Sequence, residues 1–117
     1  MINTEIKSRN DFYNILNYNP NIIIIKLSAK WCGPCLAINS HVHEWFEVMI
    51  KNNITCYDID IDKNTDFVSL LKKNKIILGI PVILVYYNKN KTIFPCDIIR
   101  GSNIDEIDTF FTRIKEC

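Results

Sequence analysis

A chain of 117 residues, 48% of them apolar, has room for one domain, spanning 1–117, with a hydrophobic core that needs no metal or disulfide framework to hold it. Its 14 basic and 13 acidic side chains leave a net charge of +1, so there is no basic excess to neutralise phosphates, and nucleic acid is not the expected partner. The abundance of Ile, Asn and Lys carries no functional reading.

The opening residues Met1-Ile2-Asn3-Thr4-Glu5 have neither a charged n-region nor an apolar h-region, and the apolar run at residues 22–25 is far too short to cross a bilayer. The expectation is a protein of the reducing cytosol with no membrane partner. Its five cysteines then point to catalysis or burial rather than to a disulfide scaffold.

Residues 2–6 alternate apolar and polar and suit a short edge strand. Ser8 stands as an N-cap before Phe12, Ile15 and Leu16 at helical spacing. The turn cluster Asn17-Tyr18-Asn19-Pro20-Asn21 leads into Ile22-Ile23-Ile24-Ile25-Lys26-Leu27, a strand expected to be buried on both faces. A long helix begins near Cys35, with Ile38, Val42, Trp45 and Met49 as its apolar stripe, widened by Phe46. Residues 54–61 form the next strand, and Phe67, Leu70 and Leu71 mark a short helix. Residues 82–87 form a strand that turns at residues 88–91 into a last one over 92–100, broken at Pro95-Cys96-Asp97. Asn103 and Glu106 resemble a capping box for a final helix with Ile104, Ile107, Phe111 and Ile114 inside. Strands and helices in this alternation predict an α/β sheet with helices on both faces, closed by an antiparallel hairpin.

Trp31-Cys32-Gly33-Pro34-Cys35 lies where a strand gives way to a helix. Two thiols at this spacing can close a small disulfide ring or open to a dithiol. Free N–H groups and the positive end of the helix dipole favour a thiolate at Cys32, while Cys35, within the first turn, is placed to resolve. Gly33 permits close backbone approach, and Pro34 sits where its missing N–H costs nothing.

The stretch Ser28-Ala29-Lys30-Trp31-Cys32-Gly33-Pro34-Cys35 resembles the active site of thioredoxins, nearer the eukaryotic type because Ser28 stands where bacterial members usually have Trp. The similarity extends over nearly the whole chain. Gly79-Ile80-Pro81-Val82 resembles the family's cis-proline loop, and Gly101 the glycine after its last strand.

That resemblance implies a thioredoxin fold: a five-stranded mixed sheet in the order 1-3-2-4-5, the last two strands antiparallel to the rest, flanked by four helices. It also implies a monomeric protein-disulfide reductase with Cys32 as nucleophile and Cys35 as resolving thiol, acting on disulfide-containing clients. Trp31, Gly79, Ile80, Pro81 and Gly101 would form the substrate platform, the backbone of Ile80 pairing with an extended client segment. No bound cofactor is expected; reducing equivalents would come from an NADPH-dependent thioredoxin reductase. The alternative of another class is a thioredoxin-fold binding or assembly subunit with little redox turnover.

Cys32 and Cys35 with His41 and His43 also suggest zinc, but two histidines in a His-x-His pair on a helix point about 200° apart, so no metal is expected and both rings should face solvent. Cys56 falls in a central strand and suits a buried hydrophobe. Cys96 sits at the Pro95 break and Cys117 at the last position; both are expected to be inert thiols. Trp45 suits the core, and Lys72, Lys73 and Lys75 a solvated face.

Three positions depart from the family pattern. Lys26 replaces the buried aspartate six residues before the first cysteine, Leu36 replaces Lys or Arg after the second, and Ser40 replaces a helix-kinking proline. A buried ammonium needs a partner or loses its proton. Asp58 is the expected one, on the neighbouring strand, with Asp60 as the other choice. The Lys26–Asp58 pair would then be the family's Asp–Lys pair reversed, with Asp58 accepting the Cys35 proton through water.

Overall fold

In the computed structural model, which describes residues 1–115, the chain runs α1 (Arg9–Asn17), β1 (Ile22–Ser28), α2 (Gly33–Lys51), β2 (Thr55–Asp60), α3 (Thr65–Lys73), β3 (Val82–Tyr87), β4 (Asp97–Arg100) and α4 (Ile104–Lys115). Side-chain caps set the starts of α1 and α4. Ser8 Oγ accepts from the Asp11 N–H at 3.1 Å, and Asn103 Oδ1 from the Glu106 N–H at 3.0 Å.

The sheet corrects the expected five strands in the order 1-3-2-4-5. Among the described residues it has four, in the order β2-β1-β3-β4. The N-terminal segment contributes a single bridge, Asn3 to Tyr57, in which Asn3 donates to the Cys56 carbonyl and accepts from the Asp58 N–H. After that contact the segment leaves the ladder, and the Ile6 N–H goes to Asn64 Oδ1 instead. A second correction concerns direction. β1 and β2 are parallel, and β3 is antiparallel to both β1 and β4, so β4 runs with β1 and β3 alone is reversed.

The last strand is also shorter than expected. Residues 92–94 lie in the connection after β3, where Asn90 Oδ1 accepts from both the N–H and the hydroxyl of Thr92. Pro95 cannot donate to a ladder, and pairing starts beyond it.

β1 is buried through its middle because helices cover both faces of the sheet. Ile23, Ile25 and Leu27 meet Phe12, Leu16, Phe67 and Leu71 of α1 and α3. Ile24 meets Ile38, Val42 and Phe46 of α2 and Phe110 and Phe111 of α4. Alternation along the strand therefore sends Lys26 to the α2 side with Ile24. On α4 the inner face is Ile107, Phe110, Phe111 and Ile114; Ile104, expected there, is exposed at the helix start. Trp45 is half-buried and stacks on Phe111 with ring centroids 5.3 Å apart. Cys117 lies outside the described residues.

Candidate active site

Cys32 is the N-cap of α2, in extended backbone, and its Sγ accepts from the Cys35 N–H at 3.3 Å. Pro34 occupies the first helical positions, where no intrahelical partner is lost. The two cysteines are joined as a disulfide, their Cα atoms 5.2 Å apart. Both are buried with Ala29, and Ile61 and Ile80 pack against them. A Cβ on Gly33 would meet no atom within 4 Å, so the close approach expected at this glycine is not made within the described chain.

Ile80–Pro81 is a cis peptide bond. Pro81 is buried and Ile80 half-buried, while Gly79 is exposed. The Pro81 carbonyl accepts from the Gly101 N–H at 3.0 Å, which ties the segment before β3 to the turn after β4. Gly101 has φ +95°, in the left-handed region that a side chain resists. Trp31, 69% exposed, donates its indole N–H to Asp62 Oδ2 at 2.8 Å. Leu36, also exposed, follows Cys35 on the helix.

Lys26 is 1% exposed and directly opposite Asp58 in the β1–β2 register. Its Nζ lies 3.5 Å from Asp58 Oδ1 and donates to Asn39 Oδ1 at 2.7 Å. Burial pushes the Lys26 pKa down, and the Asp58 charge and hydrogen bond oppose that. Asp60 plays a different part. Its Oδ1 accepts from the Asp62 N–H and its carbonyl from Asn64 Nδ2, closing the turn after β2.

The histidines depart from expectation. Both are only partly exposed, and each meets an aspartate: His41 contacts Asp108, and His43 Nε2 lies 2.6 Å from Asp58 Oδ2. Asp108 is held below the usual carboxylate range by the Trp45 indole N–H and then by His41. Sequence reasoning missed Asn39 and His43 at the site. Their signal was present: Cys35, Asn39 and His43 stand four residues apart on one helix, beside a buried lysine in need of acceptors. A cleft of about 660 Å³ is lined by Ser28, Cys35, Asn39 and Asp58 among others, joining the second thiol to the polar cluster.

Cys56 is fully buried, as expected of a small hydrophobe, although its strand is central only if the Asn3 bridge is counted. Burial pushes its pKa up to about 12. Cys96 is exposed and its Sγ accepts from the Tyr87 N–H and from Asn90 Nδ2.

The thioredoxin family model matches residues 3–112. The chain belongs to the thioredoxin family. It is 32% identical over 109 residues to a thioredoxin of Coprinus comatus, covering 93% of this chain and 95% of that one. It is 25% identical to thioredoxin 3 of Plasmodium falciparum, covering 93% of this chain and 57% of the relative. Among solved structures, Trichomonas vaginalis thioredoxin superposes with a TM-score of 0.76 at 18% identity, over 97% of this chain and 96% of that one, a likeness of fold. Family and Cys32–Cys35 pair together make this chain a thiol–disulfide oxidoreductase with a redox-active disulfide.

Proposed function

We propose that the protein reduces disulfides in client proteins by dithiol exchange, with Cys32 as nucleophile and Cys35 as resolving thiol. One observation carries the assignment of roles. Cys32 caps α2 and its sulfur already accepts a helix N–H, an arrangement that favours its thiolate. Gly33 and Pro34 support that geometry by opening the helix there.

The Cys32 thiolate attacks one sulfur of the client disulfide. That S–S bond breaks, a client thiolate leaves and takes a proton from solvent, and a mixed disulfide remains. Cys35 then gives up its proton to Asp58 through the cleft and attacks Cys32 Sγ. The mixed disulfide breaks, Cys32–Cys35 closes, and two electrons have passed to the client. Lys26 supports Asp58 as an ionised partner and lends positive charge to that side of the site. The exposed face of Trp31, with Gly79, Ile80, Pro81 and Gly101, is the platform on which an extended client segment is held. A thioredoxin reductase drawing on NADPH restores the dithiol. The setting we propose is a monomeric single domain, 1–117, in the cytosol, a compartment consistent with the unpaired thiols Cys56 and Cys96.

Insulin reduction driven by dithiothreitol tests this. The wild type should accelerate it, and Cys32→Ser should abolish the gain. Cys35→Ser should accumulate mixed disulfides. A wild type that stays at the uncatalysed rate would leave a binding subunit as the better reading.

A further inference from the structure

Cys35, Asn39 and His43 follow one another at four-residue spacing along α2 and share one face of it. Two of them reach the ion pair between β1 and β2. Asn39 Oδ1 accepts from Lys26 Nζ at 2.7 Å, and His43 Nε2 lies 2.6 Å from Asp58 Oδ2. Lys26 takes the other carboxylate oxygen, Oδ1, at 3.5 Å. Asp58 is thus held at both oxygens, by an ammonium and by an imidazole, and it lines the same cleft as Cys35. The His43 ring lies nearly parallel to Phe46, 24° between planes and 6.2 Å between centroids, so one side of it is backed by an apolar surface.

We infer that His43 is a positioning residue for the resolving step: it fixes the Asp58 carboxylate, and its own charge sets how readily that carboxylate accepts the Cys35 proton. The inference rests on the disulfide-reduction reading above and assigns a regulator to the same site.

The chemistry follows from charge. An ionised carboxylate only accepts, so the ring presents Nε2–H to it in either protonation state. With His43 neutral, Asp58 faces one full positive charge, that of Lys26. With His43 protonated it lies between two cations, and accepting a proton gives up an ion pair with the ring for a hydrogen bond between a cation and a neutral carboxyl. The resolving step is otherwise unchanged: the proton leaves Cys35 for Asp58, the Cys35–Cys32 bond forms, and the client thiolate departs.

Other charges on this side are accounted for. From β2 the ring is faced by Asp58, and behind it from β1 stands Lys26. Glu47 is one turn further along α2, and it and the N-terminal ammonium of Met1 both act on Cys56, two residues before Asp58. Glu5 and Lys7 of the N-terminal segment, Asp60 of β2, Lys30 and Lys63 line the cleft that Asp58 also lines and His43 does not. The ring donates to Asp58 whether neutral or charged, so its charge is the variable that this contact adds to the cluster.

The test is a single-turnover reduction of a disulfide-bonded model peptide by the dithiol protein, acid-quenched across pH 5 to 9, with decay of the mixed disulfide read by mass. In the wild type its decay should slow about tenfold at the acid end, the order of magnitude of giving up the His43–Asp58 ion pair when the carboxylate takes the proton. His43→Gln, which donates without titrating, should lose that step and keep the fast rate. His43→Lys, charged throughout, should stay slow at every pH below about 9. Iodoacetamide labelling of Cys32 should be the same in all three proteins. A wild-type pH step retained in both variants overturns the assignment, and so does a uniform loss at every pH, the signature of a structural contact. A wild type that forms no mixed disulfide, or never resolves one, overturns the reduction reading itself and this inference with it.

Discussion

Asp58→Asn isolates the electrostatic core of the site. In the wild type the Lys26 ammonium, 1% exposed, has two oxygen partners: Asp58 Oδ1 at 3.5 Å and Asn39 Oδ1 at 2.7 Å. The substitution keeps the shape and an amide oxygen but removes the negative charge. Removing one partner of a fully buried pair costs about 3–5 kcal/mol. Asn39 remains and the Asp58 side chain is partly exposed, so the loss here should be nearer 2–3 kcal/mol, a fall in Tm of roughly 10 °C. The pH dependence provides the sharper check. Lys26 has a folded-state pKa below its ordinary value, so between the two the unfolded chain binds more protons and stability rises with pH. Without Asp58 the opposing pull is gone, the folded-state pKa falls further, and the window opens at lower pH. The deficit of the variant should therefore be largest near neutrality and shrink as pH rises towards 10. Urea unfolding of the oxidised protein at pH 7, 8.5 and 9.5, read by far-UV circular dichroism, measures it. Adding Lys26→Met should return most of the loss at pH 7, since the charge left unpaired is then absent. A deficit under about 0.5 kcal/mol, or one that the second substitution does not relieve, would refute the reasoning.

Cys56, with its pKa pushed up to about 12, should resist iodoacetamide at pH 8 in the folded, oxidised protein while Cys96 is labelled, which peptide mass mapping reads directly. Gly101→Ala forces a side chain onto φ +95° and should cost about 1–2 kcal/mol in urea unfolding; a neutral result would mean the turn after β4 relaxes freely.

Much of the fold was legible because helix and strand periods differ so plainly here. The isoleucine run of β1, the Ser8 and Asn103 caps and the Cys32–Cys35 spacing each depend on neighbours within a few residues. The errors lie where pairing is decided by distant partners. Residues 2–6 alternate well enough for a strand, yet their backbone has competing partners, and the Asn64 side chain takes the Ile6 N–H. Residues 92–94 also look extended, but Asn90 gathers their polar groups into a loop. At the site, burial of Lys26 predicted its need for Asp58. Local spacing pairs His43 with His41, whereas the fold sets it against that aspartate. Its relation to Asp58 is fixed by the packing of α2 on the sheet, which no local pattern encodes.

The reversal of charge at position 26 has a consequence for the thiols that does not depend on which residue takes the proton. The family's usual buried aspartate at this position lends negative charge to the side of the site where Cys35 lies. Here the same strand position presents an ammonium, and the carboxylate stands one strand further out, opposite it in register. The negative charge is thereby moved from β1 to the β2 edge, where it lines the cleft. A carboxylate in contact with solvent exchanges its proton faster than one sealed in the core, and positive charge on β1 favours ionised sulfur at the end of that strand. In the proposed mechanism, base and electrostatic support, which a single buried aspartate would have to combine, are divided between two side chains. Lys26 is tolerated in the core because Asn39 and Asp58 together supply its ammonium with oxygen partners, at 2.7 and 3.5 Å.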